Sequence, residues 1–378
     1  MSQTTLLTRE PVVNKKRAIT ANRLIAHGPG VASVVGTLET LGECWPGQYP
    51  VFLSLGRLVP TPDLMAWQVP PNTYIEIPAQ TLGHPQTQAL LPQLQAAGVG
   101  MCLVWFSAGT ALPTGIDWRF VLINGRQHPS PDGSPGLSLA WGLADVPAFR
   151  QAVDAGYDGA SGWFFLHGNP SAKELSPGHA QIIRLLNMVR NDGDIRDIEN
   201  VLKQDVALSY KLLRYINSVG FGLMVEVQSF RHAVSILGYD KLNKWLSLLL
   251  VTASRDPGAP AMMQTAIARG RFMEEIGGGF FDGTTCDNLF ITGAFSMLDT
   301  LLGASMDAVL EEMTLPAPVT DALLYGEGDY APFLRLARAC ESFDPGALVK
   351  AADELHVAPE QLNRAQLAAL GFADTLQA

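Results

Sequence analysis

Cysteine is scarce in this 378-residue sequence: Cys44, Cys102, Cys286 and Cys340 are the four present, and no two form a C-x-x-C pair. That spacing excludes a zinc knuckle and a dithiol redox motif, and it leaves four reduced thiols as the expectation. Charge is sparse too, at 16% of residues, and its balance is acidic, with a formal net charge of -10. No long Lys/Arg run offsets it. An acidic chain repels phosphate backbones, so nucleic acid is not an expected partner. The apolar run Trp245–Ala253 is well short of the ~20 residues that a membrane-crossing helix needs. The opening stretch MSQTTLLTREPVVNKKRAI has no apolar core of the signal-peptide kind. No membrane association is expected, and the expected location is the cytoplasm. The seven histidines form no H-x-x-x-H, H-E-x-x-H or His-Asp pair, so the common metal-hydrolase motifs are missing.

Apolar residues, by contrast, are plentiful at 47%, enough for sizeable cores, and the length suggests two domains. The two halves of the chain differ in pattern. Up to about Phe165, short β-rich runs (ANRLIA, VFLSLG, TYIEIPA, GMCLVWF, FVLING, LSLAWGL, GWFFL) are separated by Gly/Pro-rich connections and by helical patterns at Pro85–Ala97 and Val146–Ala155. Strands alternating with helices predict parallel β/α units. A full barrel of such units takes ~250 residues, so the pattern predicts a compressed barrel with helices short or missing. The polar stretch HGNPSAKELSPG reads as a linker, and helical periodicity follows it from His179 onward. The expected division is 1–168, a linker at 169–178, and an all-helical 179–378.

The segment DVALSYKLLRYINSVGFG, followed by VQSFRHAVSILG, resembles the HDOD family, relatives of HD-domain phosphohydrolases that lack the His/Asp metal set. The first half resembles the EAL domains that precede some HDOD domains, through TREPVVNKK near the start and GYDGASGWFFLHGNP at the close. The resemblance implies an α+β multidomain chain: a degenerate, compressed EAL-type β/α barrel followed by an all-α HDOD domain. EAL domains hydrolyse cyclic di-GMP with bound Mg²⁺ or Mn²⁺, and such hard cations need clustered oxygen ligands. On this resemblance the ligand and catalytic positions fall on Arg23, Ser54, Val104, Trp105, Leu122, Asn124, Trp141, Ala144 and Ser161. Glu76 alone keeps a carboxylate, and pairing with Arg23 is a candidate role for it. In the second half, the His-Asp position of the HD enzymes falls on Ser296 and Met297.

These losses lead to the expectation of a non-enzymatic regulator, a pseudo-phosphodiesterase that acts through protein-protein contacts, with no cofactor and no metal. The alternative is a receptor that binds cyclic di-GMP without hydrolysis, and a metal-dependent phosphodiesterase ranks third. Expected partners are signalling proteins, with cyclic di-GMP and a homo-oligomer left open. The candidate partner or ligand surface is Lys211, Arg214, Asn217 and Ser218. A structural alternative stands beside it, in which Asn217 and Ser218 satisfy backbone groups at a helix end.

Overall fold

The structure, a computed structural model, describes residues 5–166, 177–204, 216–217, 227, 229–252, 259–342 and 344–376. Two compact units divide the chain: Met1–Gly168 with Ala339–Leu367, and Asn169–Arg338 with Ala368–Ala378. The expectation that 179–378 forms one helical half is corrected here, because residues 339–367 fold with the first unit.

The first unit is a closed barrel of eight strands in sequential order. They are β1 Leu6–Asn14, β2 Ile19–His27, β3 Val51–Ser54, β4 Thr73–Pro78, β5 Gly100–Val104, β6 Phe120–Asn124, β7 Leu137–Trp141 and β8 Gly159–Ser161. β1 runs antiparallel to both neighbours, β2 and β8, and the other pairings are parallel. The barrel is compressed, as its length implies. α1 (Val31–Glu39), α2 (Pro85–Ala96) and α3 (Val146–Asp154) are its crossover helices, and β5–β6 and β6–β7 are joined by loops. Strand periodicity of two sends alternate side chains inward. Val12, Ala21, Phe52, Cys102 and Leu139 fill one end of the interior, with Tyr74 and Phe120 packed against them. Phe52, Tyr74 and Phe120 meet edge-on or tilted at 4.9–5.7 Å between ring centres, a geometry that aromatic quadrupoles favour.

Two strand expectations change. GWFFL is not a strand: β8 ends at Ser161, Gly162 turns with φ of +121°, and Phe164–Leu166 is a 3₁₀ turn. β1 was not foreseen as a strand, and it contains Pro11.

The N-terminal half of β1 has β2 on one edge, but β8 pairs only with Val12–Asn14. Two helices follow late in the chain, α13 (Pro345–Glu354) and α14 (Pro359–Thr375), and α14 closes the bare edge. Asn363 accepts from the Leu7 amide at 2.9 Å and donates to the Thr5 carbonyl at 2.8 Å, and Gln366 donates to the Leu7 carbonyl at 2.9 Å. These side-chain amides stand in for a neighbouring strand, which buried backbone groups require. On the same outward face, Arg9 pairs with Glu341 at 2.9 Å, both almost fully buried.

The second unit is helical. α4 (Pro177–Arg190), α5 (Ile195–Gln204), α6 (Phe230–Val251), α7 (Ala259–Gly277), α8 (Gly283–Phe295), α9 (Leu298–Leu302), α10 (Met306–Glu311), α11 (Ala317–Thr320) and α12 (Ala331–Cys340) follow in order. Ser229–Leu237 and Asp240–Ala253, expected as two helices, fall on either side of a break in α6 at Gly238, where φ is 74° and only glycine is comfortable. Asp282 caps α8 through the Thr285 amide, an N-cap of the preferred kind.

Candidate functional site

At the carboxyl ends of the barrel strands a cavity of about 410 Å³ opens. This is the end at which β/α barrels place their sites. Inward-facing positions one step beyond the aromatic layer form its floor and walls. Arg23 (β2), Ser54 (β3), Val104 and Trp105 (end of β5), Leu122 (β6), Trp141 (β7), Ser161 (β8) and Glu10 (β1) all line it. The structure thus gathers most of the positions singled out in the sequence into one layer. Asn124 and Ala144 are not among the lining residues.

The floor is an ion triad. Arg23 donates through Nε and Nη2 to both Glu76 oxygens, at 2.5 and 2.8 Å, and through Nη1 to Glu10 at 2.8 Å. Glu10 also accepts from the Ser161 hydroxyl at 3.0 Å. The Arg23–Glu76 pair was readable in the sequence; Glu10 was missed. The signal that could have found it is the tight connection between β1 and β2, whose register sets Glu10 across from Arg23. The two carboxylates keep the guanidinium protonated, raising its pKa against the opposing effect of burial. Below them, burial and the Glu76 charge push the Cys102 thiol up, so it is an inert core group.

The walls are aromatic. Trp105 is a rim residue, 41% exposed, and holds a backbone φ of 59°, a conformation that bulky side chains avoid. Its amide donates to the Leu122 carbonyl at 3.1 Å. Such strain concentrates at functional sites. The Trp141 indole N–H is buried with no hydrogen-bond partner. Trp163 donates to the Arg9 carbonyl at 3.3 Å, which fixes its ring at the opposite wall.

A divalent-ion centre does not fit this donor set. The guanidinium of Arg23 occupies the space between the two carboxylates, and among the described residues no cluster of three or more His, Cys, Asp or Glu could hold a metal ion. In the helical unit, Ser296 donates to the Gly293 carbonyl at 2.7 Å and accepts from Arg269 at 3.0 Å, while Met297 is buried. Of the candidate surface, Lys211, Arg214 and Ser218 lie outside the described residues. The Asn217 side chain pairs with both backbone groups of Val227, at 2.7 and 2.8 Å, which is the structural role.

The HDOD domain family model matches residues 176–294. A protein of Vibrio cholerae named cyclic di-GMP phosphodiesterase CdgJ is 30% identical over 234 residues, covering 61% of this chain and 53% of its own length. YuxH of Bacillus subtilis, an uncharacterized protein, is 26% identical over 199 residues, covering 51% of this chain and 48% of its own length. The chain therefore spans about half the length of these curated relatives. A crystal structure of a signal transduction protein from Marinobacter aquaeolei covers 99% of this chain and 92% of its own at 15% identity, with a TM-score of 0.39. The expectation of a non-enzymatic protein is corrected by the Vibrio relative, whose name is that of a hydrolase. That expectation rested on losses at motif positions, a test that is blind to groups supplied from elsewhere, as Glu10 illustrates. Among the described residues no helix is long and apolar enough to cross a membrane.

Proposed function

We propose that this chain, an eight-stranded barrel joined to an HDOD domain, acts in cyclic di-GMP turnover, with the barrel mouth as the nucleotide site and phosphodiester hydrolysis as the activity. The observation that carries the reading is the cavity, with three tryptophans around a buried guanidinium. A purine presents a flat face, and stacking on an aromatic side chain is worth about 1–3 kcal/mol per base. The Trp141 ring lines the same space, beside those of Trp105 and Trp163. At the floor, Glu10 and Glu76 hold the Arg23 guanidinium in a fixed orientation, so the cavity is preformed. The hydrolytic part of the proposal is supported by the name of the Vibrio relative.

The test is incubation of the full chain with cyclic di-GMP, with and without Mg²⁺ or Mn²⁺, with the linear dinucleotide followed by chromatography. The reading predicts product, reduced at least tenfold in Trp141→Ala. Binding without product would keep the site and remove the hydrolysis. Neither binding nor product at millimolar nucleotide would remove both.

A further inference from the structure

Of the three tryptophans that line the barrel mouth, two are tied into the fold. Trp141 packs against the interior layer that contains Phe52, Cys102 and Leu139. Trp163 donates its indole N–H to the Arg9 carbonyl, and both the Phe165 ring and the Arg9 guanidinium lie 6.0 Å from its ring centre. Trp105 has no such ties. Among the described residues no other ring or cation meets its indole, and its hydrogen bond is made by the backbone amide, to the Leu122 carbonyl.

Holding Trp105 there is unfavourable twice over. Its φ of 59° lies in the left-handed region, where Cβ crowds the carbonyl oxygen and a bulky side chain is a true outlier. Arg17 has the same φ, but it sits in the tight turn between β1 and β2, where such a conformation is ordinary. Trp105 instead follows the last residue of β5 and opens the loop to β6. Its large apolar side chain is also 41% exposed, so burial returns only part of what it could. Strain of this kind persists where a site uses it, and here it presents an accessible ring at the rim of the cavity.

The floor decides which part of a ligand meets that ring. The charged residues in the lining are Glu10 and Arg23, and Glu76 completes their triad, which leaves one net negative charge. A phosphate is repelled by it, whereas an uncharged base is not, and a base offers a flat face to a tryptophan. We propose that Trp105 is the residue on which the base of the bound nucleotide stacks, while Trp141 and Trp163 build the wall. The proposal deepens the barrel reading and rests on it.

Three substitutions separate a ligand contact from a structural residue. Glycine is at ease at a φ of 59° and alanine is not, so Trp105→Gly should be the more stable of the two and unfold within about 4 °C of the wild type. Both lack the ring, and both should bind cyclic di-GMP about tenfold more weakly or worse in calorimetric titration of the full chain. Trp105→Phe keeps a stacking face and should stay within about threefold of wild-type affinity. Wild-type affinity in Trp105→Gly, failure of that variant to fold, or a binding loss that follows stability across the three variants would each overturn the proposal and leave the barrel reading in place. No binding by the wild-type chain at millimolar nucleotide would remove the barrel reading, and this proposal with it.

Discussion

Arg23 and Arg190 are both desolvated guanidinium groups, one in each unit, and their surroundings shift them in opposite directions. Arg23 has a carboxylate on either side and its pKa is raised. Arg190 has two unpartnered nitrogens and its pKa is lowered. Burial of a charge is costly unless it is paired and hydrogen-bonded. The barrel meets that condition with its own side chains, so its floor is rigid before any ligand arrives. The helical unit does not meet it, and Nε and Nη2 of Arg190 stay unsatisfied inside the fold.

The comparison breaks first at Arg23. Arg23→Met leaves Glu10 and Glu76, 3% and 1% exposed, without their cation. Removing one partner of a buried ion network costs about 3–5 kcal/mol. Equilibrium denaturation should show a loss of that size, and a loss below ~1 kcal/mol would mean that the triad is not what holds the floor. Next is Asn363→Leu, which removes the partners of the Leu7 amide and the Thr5 carbonyl. Each buried backbone group so orphaned costs about 1–3 kcal/mol. Hydrogen exchange at Leu7 should accelerate with the loss of stability; unchanged protection would show that the β1 edge is closed by something else. Smallest is Asn217→Ala, at an exposed position bonded to both backbone groups of Val227. It should cost about 1 kcal/mol, and Asn217→Asp, which cannot donate to the Val227 carbonyl, should recover only part of it. A variant that leaves stability unchanged but weakens a partner in pull-down would restore the surface reading of that residue.

Strands β2 to β7 were legible because continuous apolar runs of strand length leave few alternatives once helical periodicity is absent. β1 was not. It carries Pro11 and the charged pair Arg9–Glu10, and the features that make it a strand are tertiary: β2 on one edge, and Asn363 and Gln366 on the other. The same blindness hid Glu10 from the site and placed 339–367 with the helical half, since helical periodicity says nothing about which core a helix covers. Arg23 and Glu76 could be paired on paper because β2 and β4 were both recognised as strands, and opposite charges on inward positions need each other. The unsatisfied Arg190 left no trace in the sequence, because the informative fact is the lack of a hydrogen bond, which no residue pattern encodes.

The contrast between the two arginines is tested most directly by calorimetric unfolding of Arg23→Met and Arg190→Met side by side, both without nucleotide. The account predicts opposite outcomes. Arg23→Met should be destabilised by about 3–5 kcal/mol, because it strands two buried carboxylates. Arg190→Met should be unchanged or stabilised by up to ~1 kcal/mol, because an apolar side chain replaces donors that had no partner. Similar destabilisation of both variants would show that Arg190 is as much a structural group as Arg23 and would contradict the account.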